Sequence, residues 1–498
     1  MSSAVESNFE KRVPAESIPA MGDRSPQSYI DEQPIWADGT SLKSAPMTRM
    51  QWRIWWLAAA GKFFEGLVVF MTGVALPLVA EEFNITKGEH GLVGAASLAG
   101  ILVGAIGLGS LSDYFGRKRM FIFEMFMFLT FLVLVVFSQS FAWLVACLFG
   151  IGLALGCDYP TAHLIISESI PSSVRGRLVL AAFGFQALGA LTGTLLGYLV
   201  LKNMPELGAW RWMYAMAIVP AALVLAWRFG VTESASWLLH RGQADKASEA
   251  IKVLLARTPR YPREVRVVAK PDHRRTRGKY LDLFKGKNLR ATIFASVPWF
   301  LQDLGTYGIG IFTPTILAST LGHKTAHVCS LADMINNDEL AAKGSAMIDV
   351  LLIVGIIAAV LLADRLGRIR LQVTGFIGCA VGLFIASMSA NASGATKTLL
   401  IFIGFMLFNF MTNMGPNAQT YLLAGEVFPT NIRAQGAGFA AAFAKIGAVM
   451  TAYLFPVFLA DLGTRSLLSI LVGTSLLGAL ITWFFRIETT GVDLDAIE

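Results

Sequence analysis

Residues Gly109-Ser-Leu-Ser-Asp113-Tyr-Phe-Gly116-Arg117-Lys118-Arg119 separate two apolar runs, 91–111 and 119–138. Each run has the ~20 residues that an α-helix needs to cross a bilayer core of ~30 Å. An acid, a glycine and three basic residues between two such runs describe a short turn at a membrane face. The basic residues anchor it, glycine permits the reversal, and the acid supplies a charge partner. The turn recurs as Asp364-Arg365-Leu366-Gly367-Arg368-Ile369-Arg370, with Asp364 lying 251 residues beyond Asp113. A second motif repeats at nearly the same distance: Glu168, Pro171 and Arg175 share their spacing with Glu426, Pro429 and Arg433, and Glu426 lies 258 residues beyond Glu168. Two independent motifs with nearly one offset indicate a duplicated unit. Asp113, Gly116, Arg117, Arg119, Glu168 and Arg175, with Asp364, Arg368, Glu426 and Arg433, are expected to latch helices at a cytoplasmic gate. Simple anchoring would need only the basic residues.

The rest of the chain agrees with a membrane protein. Of its 498 residues 55% are hydrophobic and only 15% charged, against ~25% charged in soluble domains, and the mean hydropathy is +0.58. That excludes disordered, fibrous and ordinary soluble classes. Twelve apolar runs are long enough to span a bilayer: 55–80, 91–111, 119–138, 142–166, 177–200, 212–231, 290–319, 344–362, 372–391, 398–422, 436–460 and 465–485. A strand-built barrel would instead show ~10-residue alternating segments. The expected fold is all-α, with twelve transmembrane helices in two six-helix bundles, 51–231 and 290–487. They are flanked by an N-terminal tail, 1–50, and a C-terminal tail, 488–498. Between them lies a basic linker, 232–289, with a short amphipathic helix near 243–257. The N-terminal tail has no apolar h-region, so it is not a signal peptide, and it is expected to be flexible.

Lysine and arginine follow the even-numbered spans, and segment 232–290 alone holds fifteen of them against six acids. The positive-inside rule then puts both termini and the linker in the cytoplasm, in a plasma membrane or bacterial inner membrane. Nucleic-acid binding is not expected, because positive-inside charge explains the basic linker. Four cysteines are too few for a disulfide scaffold. No phosphate-binding loop, metal-ligand cluster or serine elbow is present. An enzyme, a cofactor and a metal are therefore not expected.

Ionisable residues inside a membrane are costly, so each is a functional candidate. The chain has Lys62 and Glu65 in span one, Glu124 in span three, Asp158 and His163 in span four, Asp303 in span seven and Lys445 in span eleven. Trp299, Asp303 and Tyr307 are spaced by four and share a helix face. Pro160 in Gly156-Cys157-Asp158-Tyr159-Pro160 and Pro416 in Asn413-Met414-Gly415-Pro416-Asn417 fall at matching depths of the two halves. Paired helix breaks of this kind point to a transport site. Lys445 is too deep to snorkel and must pair with an acid or an anionic ligand.

The Gly-x-Leu-x-Asp-x-x-Gly-Arg-Lys-Arg motif, its weaker copy and the six-plus-six layout resemble the major facilitator superfamily. The resemblance implies two bundles rocking about a central site. Gly156-Cys-Asp158-Tyr159-Pro160, Gln186, Trp299-x-x-x-Asp303-x-x-x-Tyr307, Gly415-Pro416-Asn417, Gly425-Glu426-Val427-Phe428-Pro429-Thr430 and Lys445 resemble the phosphate:proton symporter family. That second resemblance implies that Tyr159, Gln186, Trp299, Tyr307 and Asn417 donate hydrogen bonds to phosphate. Asp158 and Asp303 would face the anion, and Lys445 would pair with Asp303 or the substrate. Glu65, Glu124, Asp158 and Asp303 are the candidates for carrying protons. The chain departs from the family pattern at Val68, where a second span-one acid is expected, and at Leu148, where many relatives have arginine. Glu65 then has Lys62 as an alternative partner, or Glu124 as a relay. The expected activity is proton-coupled phosphate symport by a monomer in lipid. The same scaffold would also suit another small solute, such as an organic acid or a sugar, or a non-transporting receptor.

Overall fold

The computed structural model describes residues 25–32, 46–108, 111–256, 265, 267, 280–321, 331–429 and 432–489. Among these there is no strand. Spans one to four are Arg49–Phe83, Lys87–Gly107, Arg117–Val136 and Phe141–Ser169. Span five is formed by Ser172–Phe183 and Phe185–Asn203, and span six is Ala209–Arg228. Spans seven to nine are Gly286–Leu321, Leu331–Leu366 and Arg368–Met388; span ten is Gly394–Met414 followed by Pro416–Glu426. Arg433–Phe485 contains spans eleven and twelve, joined at Gly463 with φ 76°. Among the described residues, ten helical segments are long and apolar enough to cross a membrane, the last holding both of these spans. Gly286–Leu321, made more polar by Gln302, Asp303 and Tyr307, completes the twelve.

Small residues set the closest approaches. A Cβ on Gly189 would lie 1.9 Å from the Phe63 carbonyl oxygen, and one on Gly66 would lie 2.0 Å from that of Gln186. Spans one and five therefore meet backbone to backbone, which only glycine permits. This contact brings Glu65 and Gln186 to the same depth. Gly116 (φ 105°) and Gly367 (φ 85°) stand immediately before spans three and nine. An L side chain is strained at such angles, so the duplicated motif needs glycine at both turns.

The structure corrects three expectations. Span four runs unbroken through Pro160, whereas span ten does break at Gly415 (φ −111°, ψ −98°), with Pro416 opening the next helix. Span two packs closely on span four just before this proline: a Cβ on Gly156 would lie 2.2 Å from the Ile101 carbonyl oxygen. Proline at the first position of a helix loses no hydrogen bond, so the break in span ten is inexpensive. Span eight begins at Leu331, earlier than the 344 at which its apolar run starts in the sequence. Part of the N-terminal tail is docked rather than free. Pro26–Asp31 is a short helix with Tyr29 and Ile30 buried, and Asp31 accepts from the Ser172 backbone N–H (2.7 Å) and hydroxyl (2.8 Å). In the linker, Ala244–Leu254 is helical and buries Ala247, Ile251 and Leu254. Ile30, Ile170 and Ile251 lie in one apolar cluster.

Candidate functional site

Six side chains from both halves meet at the centre. Lys62 and Glu65 are one turn apart on span one, and their charged groups are 3.0 Å apart. The other Glu65 oxygen accepts from the Tyr307 hydroxyl (3.0 Å) and from Gln186 of span five (3.3 Å). Gln186 also donates to Tyr307 (3.1 Å). From span eleven, Lys445 donates to Tyr307 (2.6 Å) and to Asp303 (3.3 Å), and its ammonium is 3.8 Å from Glu65. Lys62, Glu65, Asp303, Tyr307 and Lys445 are all buried. Removing one member of such a cluster would strand a charge in a low-dielectric interior. Two cations and two acids balance there, and one ammonium is shared by acids of opposite halves. An incoming anion can compete for that ammonium, and a proton placed on either acid releases it.

Asp158 lies in a different cluster. Its carboxylate accepts from Arg228 of span six (2.9 Å), which also binds Glu124 of span three (2.8 Å). The guanidinium lies 3.5 Å over the Phe121 ring and is 1% exposed. The structure thus does not bring Asp158 together with Asp303 and Lys445 as the resemblance implied. It also gives Glu124 a partner other than Glu65. About 10 Å³ of free space adjoins Gly61, Glu124, Asp158 and Arg228, roughly the room of one water molecule. Val68 and Leu148, the two departures from the family pattern, are both fully buried in one apolar cluster.

Trp299 packs edge-on against Tyr421 of span ten, with ring centroids 6.1 Å apart. Tyr421 stacks on Phe183 of span five at 4.5 Å and hydrogen-bonds the His163 ring at 3.2 Å. The Lys62 ammonium lies 5.8 Å from the centroid of the Phe183 ring. Tyr421 therefore joins the two halves on one side of the charged centre. Asn417 donates to Asn413 (2.7 Å) and accepts from Gln302 (3.2 Å). The side chains of Asp113, Tyr159 and Asp364 lie outside the described residues.

Sequence reading missed Arg228, Tyr421, Gln302 and Asp349. Arg228 is the last residue of its helix and reads as a face anchor, yet it folds back to the buried acids. The available signal was Glu124 and Asp158 together in one half without a basic partner at matching depth.

The duplicated turns carry matched ion pairs. Arg117 pairs with Glu168 at 3.1 Å, and Arg368 pairs with Glu426 at 2.9 Å. In each case the residue after the positive-φ glycine binds the acid at the end of the following even-numbered span. Glu168 also accepts from the Ser234 hydroxyl, and Glu426 from Thr489 (2.7 Å). Arg175 and Arg433 reach carbonyl oxygens, of Ile170 (3.4 Å) and Phe428 (3.1 Å). Arg119 is exposed.

Comparison with known proteins agrees with this architecture. The sequence profile of the sugar (and other) transporter family matches residues 54–498. The chain is 30% identical over 459 residues to the inner membrane metabolite transport protein YgcS of Escherichia coli (strain K12), covering 91% of this chain and 95% of that one. It is 28% identical over 400 residues to a repressible high-affinity phosphate permease of Neurospora crassa, covering 71% of this chain and 68% of the permease. Among solved structures, the major facilitator superfamily proton:xylose symporter XylE of E. coli superposes with TM-score 0.72 at 19% identity, covering 90% of this chain and 98% of that chain. The duplicated turns, the twelve helices and the whole-length family match lead to one assignment: the chain belongs to the sugar (and other) transporter family of the major facilitator superfamily, as a multi-pass membrane transporter of small solutes and not an enzyme.

Proposed function

We propose that this transporter carries inorganic phosphate with protons by alternating access. The bundles 51–231 and 290–487 rock about the central cluster, with 232–289 as their connection. The observation that carries the reading is Lys445, a buried ammonium held by Asp303, Tyr307 and the opposite half's Glu65. Phosphate beside two carboxylates is repulsive until one of them is protonated. A proton on Asp303 or Glu65 frees Lys445 for the anion, with Gln186 and Tyr307 at hand as donors and Trp299 and Asn417 as further contacts. Loss of the proton restores the ion pairs and expels the anion. Glu124 and Asp158 share one guanidinium, so that cluster is a second place for a proton. Asp158 reaches phosphate only after Arg228 lets go. The ion-paired turns at Gly116 and Gly367 form the cytoplasmic gate. Both termini are cytoplasmic, and the monomer sits in a plasma or bacterial inner membrane.

A second reading is another small solute, such as an organic acid or a sugar. The buried apolar pair Val68 and Leu148 favours it, as does likeness to YgcS, named only as a metabolite transporter. Uptake of radiolabelled phosphate into proteoliposomes, under pH gradients of either direction and with carboxylate and sugar competitors, separates the two. We expect saturable phosphate uptake stimulated by an acidic exterior. Asp303→Asn and Lys445→Ala should each lower it about tenfold or more, the worth of a lost charge-assisted hydrogen bond. No saturable phosphate uptake in either gradient, with uptake of a carboxylate or a sugar, overturns the first reading in favour of the second.

A further inference from the structure

A further buried acid, Asp349, sits at the seam between the two halves, away from both charged clusters. It lies on span eight and is 3% exposed. One carboxyl oxygen is 3.1 Å from the Thr194 hydroxyl of span five, in the opposite half, and the other is 3.2 Å from the Asn409 amide of span ten. Thr194 is eight residues beyond Gln186 along span five, so the seam lies about 12 Å from the central cluster at 1.5 Å per residue. It lies on the side away from the Gly116 and Gly367 turns. Spans one and seven close tightly on that side too: a Cβ on Gly73 would lie 2.2 Å from the Ile311 carbonyl oxygen.

The partners of Asp349 are neutral. Between Arg177 and Lys202 the one ionisable residue of span five is the phenol Tyr198, and span ten carries only Lys397 before Asn409. Span seven contributes Asp303 and Tyr307, and span one contributes Lys62 and Glu65, all held in the central cluster, with Glu81 and Glu82 at the end of span one on the seam's side, Glu82 paired with Arg211 at 2.6 Å. Span nine has Arg368 and Arg370 at its far end; span eight itself has Asp333, Asp338, Glu339 and Lys343 nearer its start and Asp364 and Arg365 near its end. Among the described residues, the side chains hydrogen-bonded to Asp349 are Thr194 and Asn409, both neutral. The hydroxyl adds a constraint. Thr194 has one proton, and the Ala190 (3.2 Å) and Leu191 (3.1 Å) carbonyl oxygens of its own helix are also within reach of it. Helical threonines commonly donate back to such carbonyls, as Thr192 does to Leu188. Its one proton is thus shared among Asp349 and two carbonyl oxygens, and whenever it turns to Ala190 or Leu191 the contact with Asp349 is kept by a proton on the carboxyl group. A buried carboxylate without a cation is costly, whereas a carboxylic acid donating to a hydroxyl is not.

We propose that Asp349 is a proton-operated latch on this seam: protonated and hydrogen-bonded to Thr194 when the seam is closed, ionised and hydrated when it opens. Opening favours the charged form, so by linkage an alkaline medium on that side opens the seam and an acidic one closes it. The inference rests on alternating access and not on phosphate as the substrate.

Its test therefore uses a substrate-free readout. Spin labels replace the exposed Lys202 and Leu340 at the ends of spans five and eight on that side, and their distance distribution is recorded from mildly acidic to mildly alkaline pH. The population at long distance should rise with pH in the otherwise unmodified protein. Asp349→Asn should lose this response and remain closed, while Thr194→Val should keep it with a displaced midpoint. If Asp349→Asn does not fold, Asp349→Glu should respond with a displaced midpoint. A pH response unchanged by Asp349→Asn, or by Asp349→Glu where only that variant folds, overturns the latch. So does a distance that ignores pH in the unmodified protein. Failure of phosphate uptake leaves these outcomes untouched.

Discussion

Lys445 is held by groups that themselves depend on it. Deleting its ammonium leaves Asp303 without its 3.3 Å partner, and breaking a buried pair costs about 3–5 kcal/mol. Lys445→Ala should therefore lower thermal stability in detergent, and adding Asp303→Asn should restore part of the loss, because a neutral amide tolerates burial. Equal melting temperatures for the single and double variants would contradict the pairing. Arg228 faces two acids, and Arg228→Met should destabilise by a similar amount, with Glu124→Gln as the partial rescue. That Lys445 needs an acid or an anionic ligand was legible from its depth in an apolar run, and the family resemblance offered Asp303 or the substrate as that partner. The partner of Asp158 was not legible. Linear sequence shows where Arg228 is attached and not that its side chain folds back inward. Asp349 escaped notice because its apolar neighbours put it near the expected start of span eight, whereas the helix starts at Leu331.

At the scale of helices and turns, glycine decides most of what can be tested. Gly116 sits at φ 105°, and a Cβ there would also lie 2.5 Å from a Glu233 carboxylate oxygen. Gly116→Ala should cost about 1–3 kcal/mol of stability, the strain of a backbone conformation that is essentially glycine's alone. It should also loosen the Arg117–Glu168 pair. Gly189→Ala should be destabilising by a similar amount through overpacking, because the obstacle is the span-one backbone and not a movable side chain. Gly176→Ala, with nothing within 4 Å of the new Cβ, is the matched control and should melt like the parent. The repeat of the turns was legible because their composition is fixed by charge and backbone freedom. The unbroken course of span four was not, because Pro160 reads as a break in the linear sequence.

Across the whole molecule, the sequence revealed the twelve spans and the duplication, since both follow from hydropathy and spacing. The contacts that join the halves were less visible: Tyr421 and Phe183, which stack on each other, and Thr194, which meets Asp349, are unremarkable in their own spans. The balance of Lys62 and Lys445 against Glu65 and Asp303 has an electrical meaning. A centre without net charge feels little force from the voltage across the bilayer, so the unloaded carrier should reorient at the same speed whether the interior is polarised or not. Monoanionic phosphate accompanied by one proton is also neutral, and a potassium diffusion potential imposed with an ionophore should leave uptake by such a carrier unchanged. Lys445→Ala leaves the centre one positive charge short, and any uptake it retains should become sensitive to that potential.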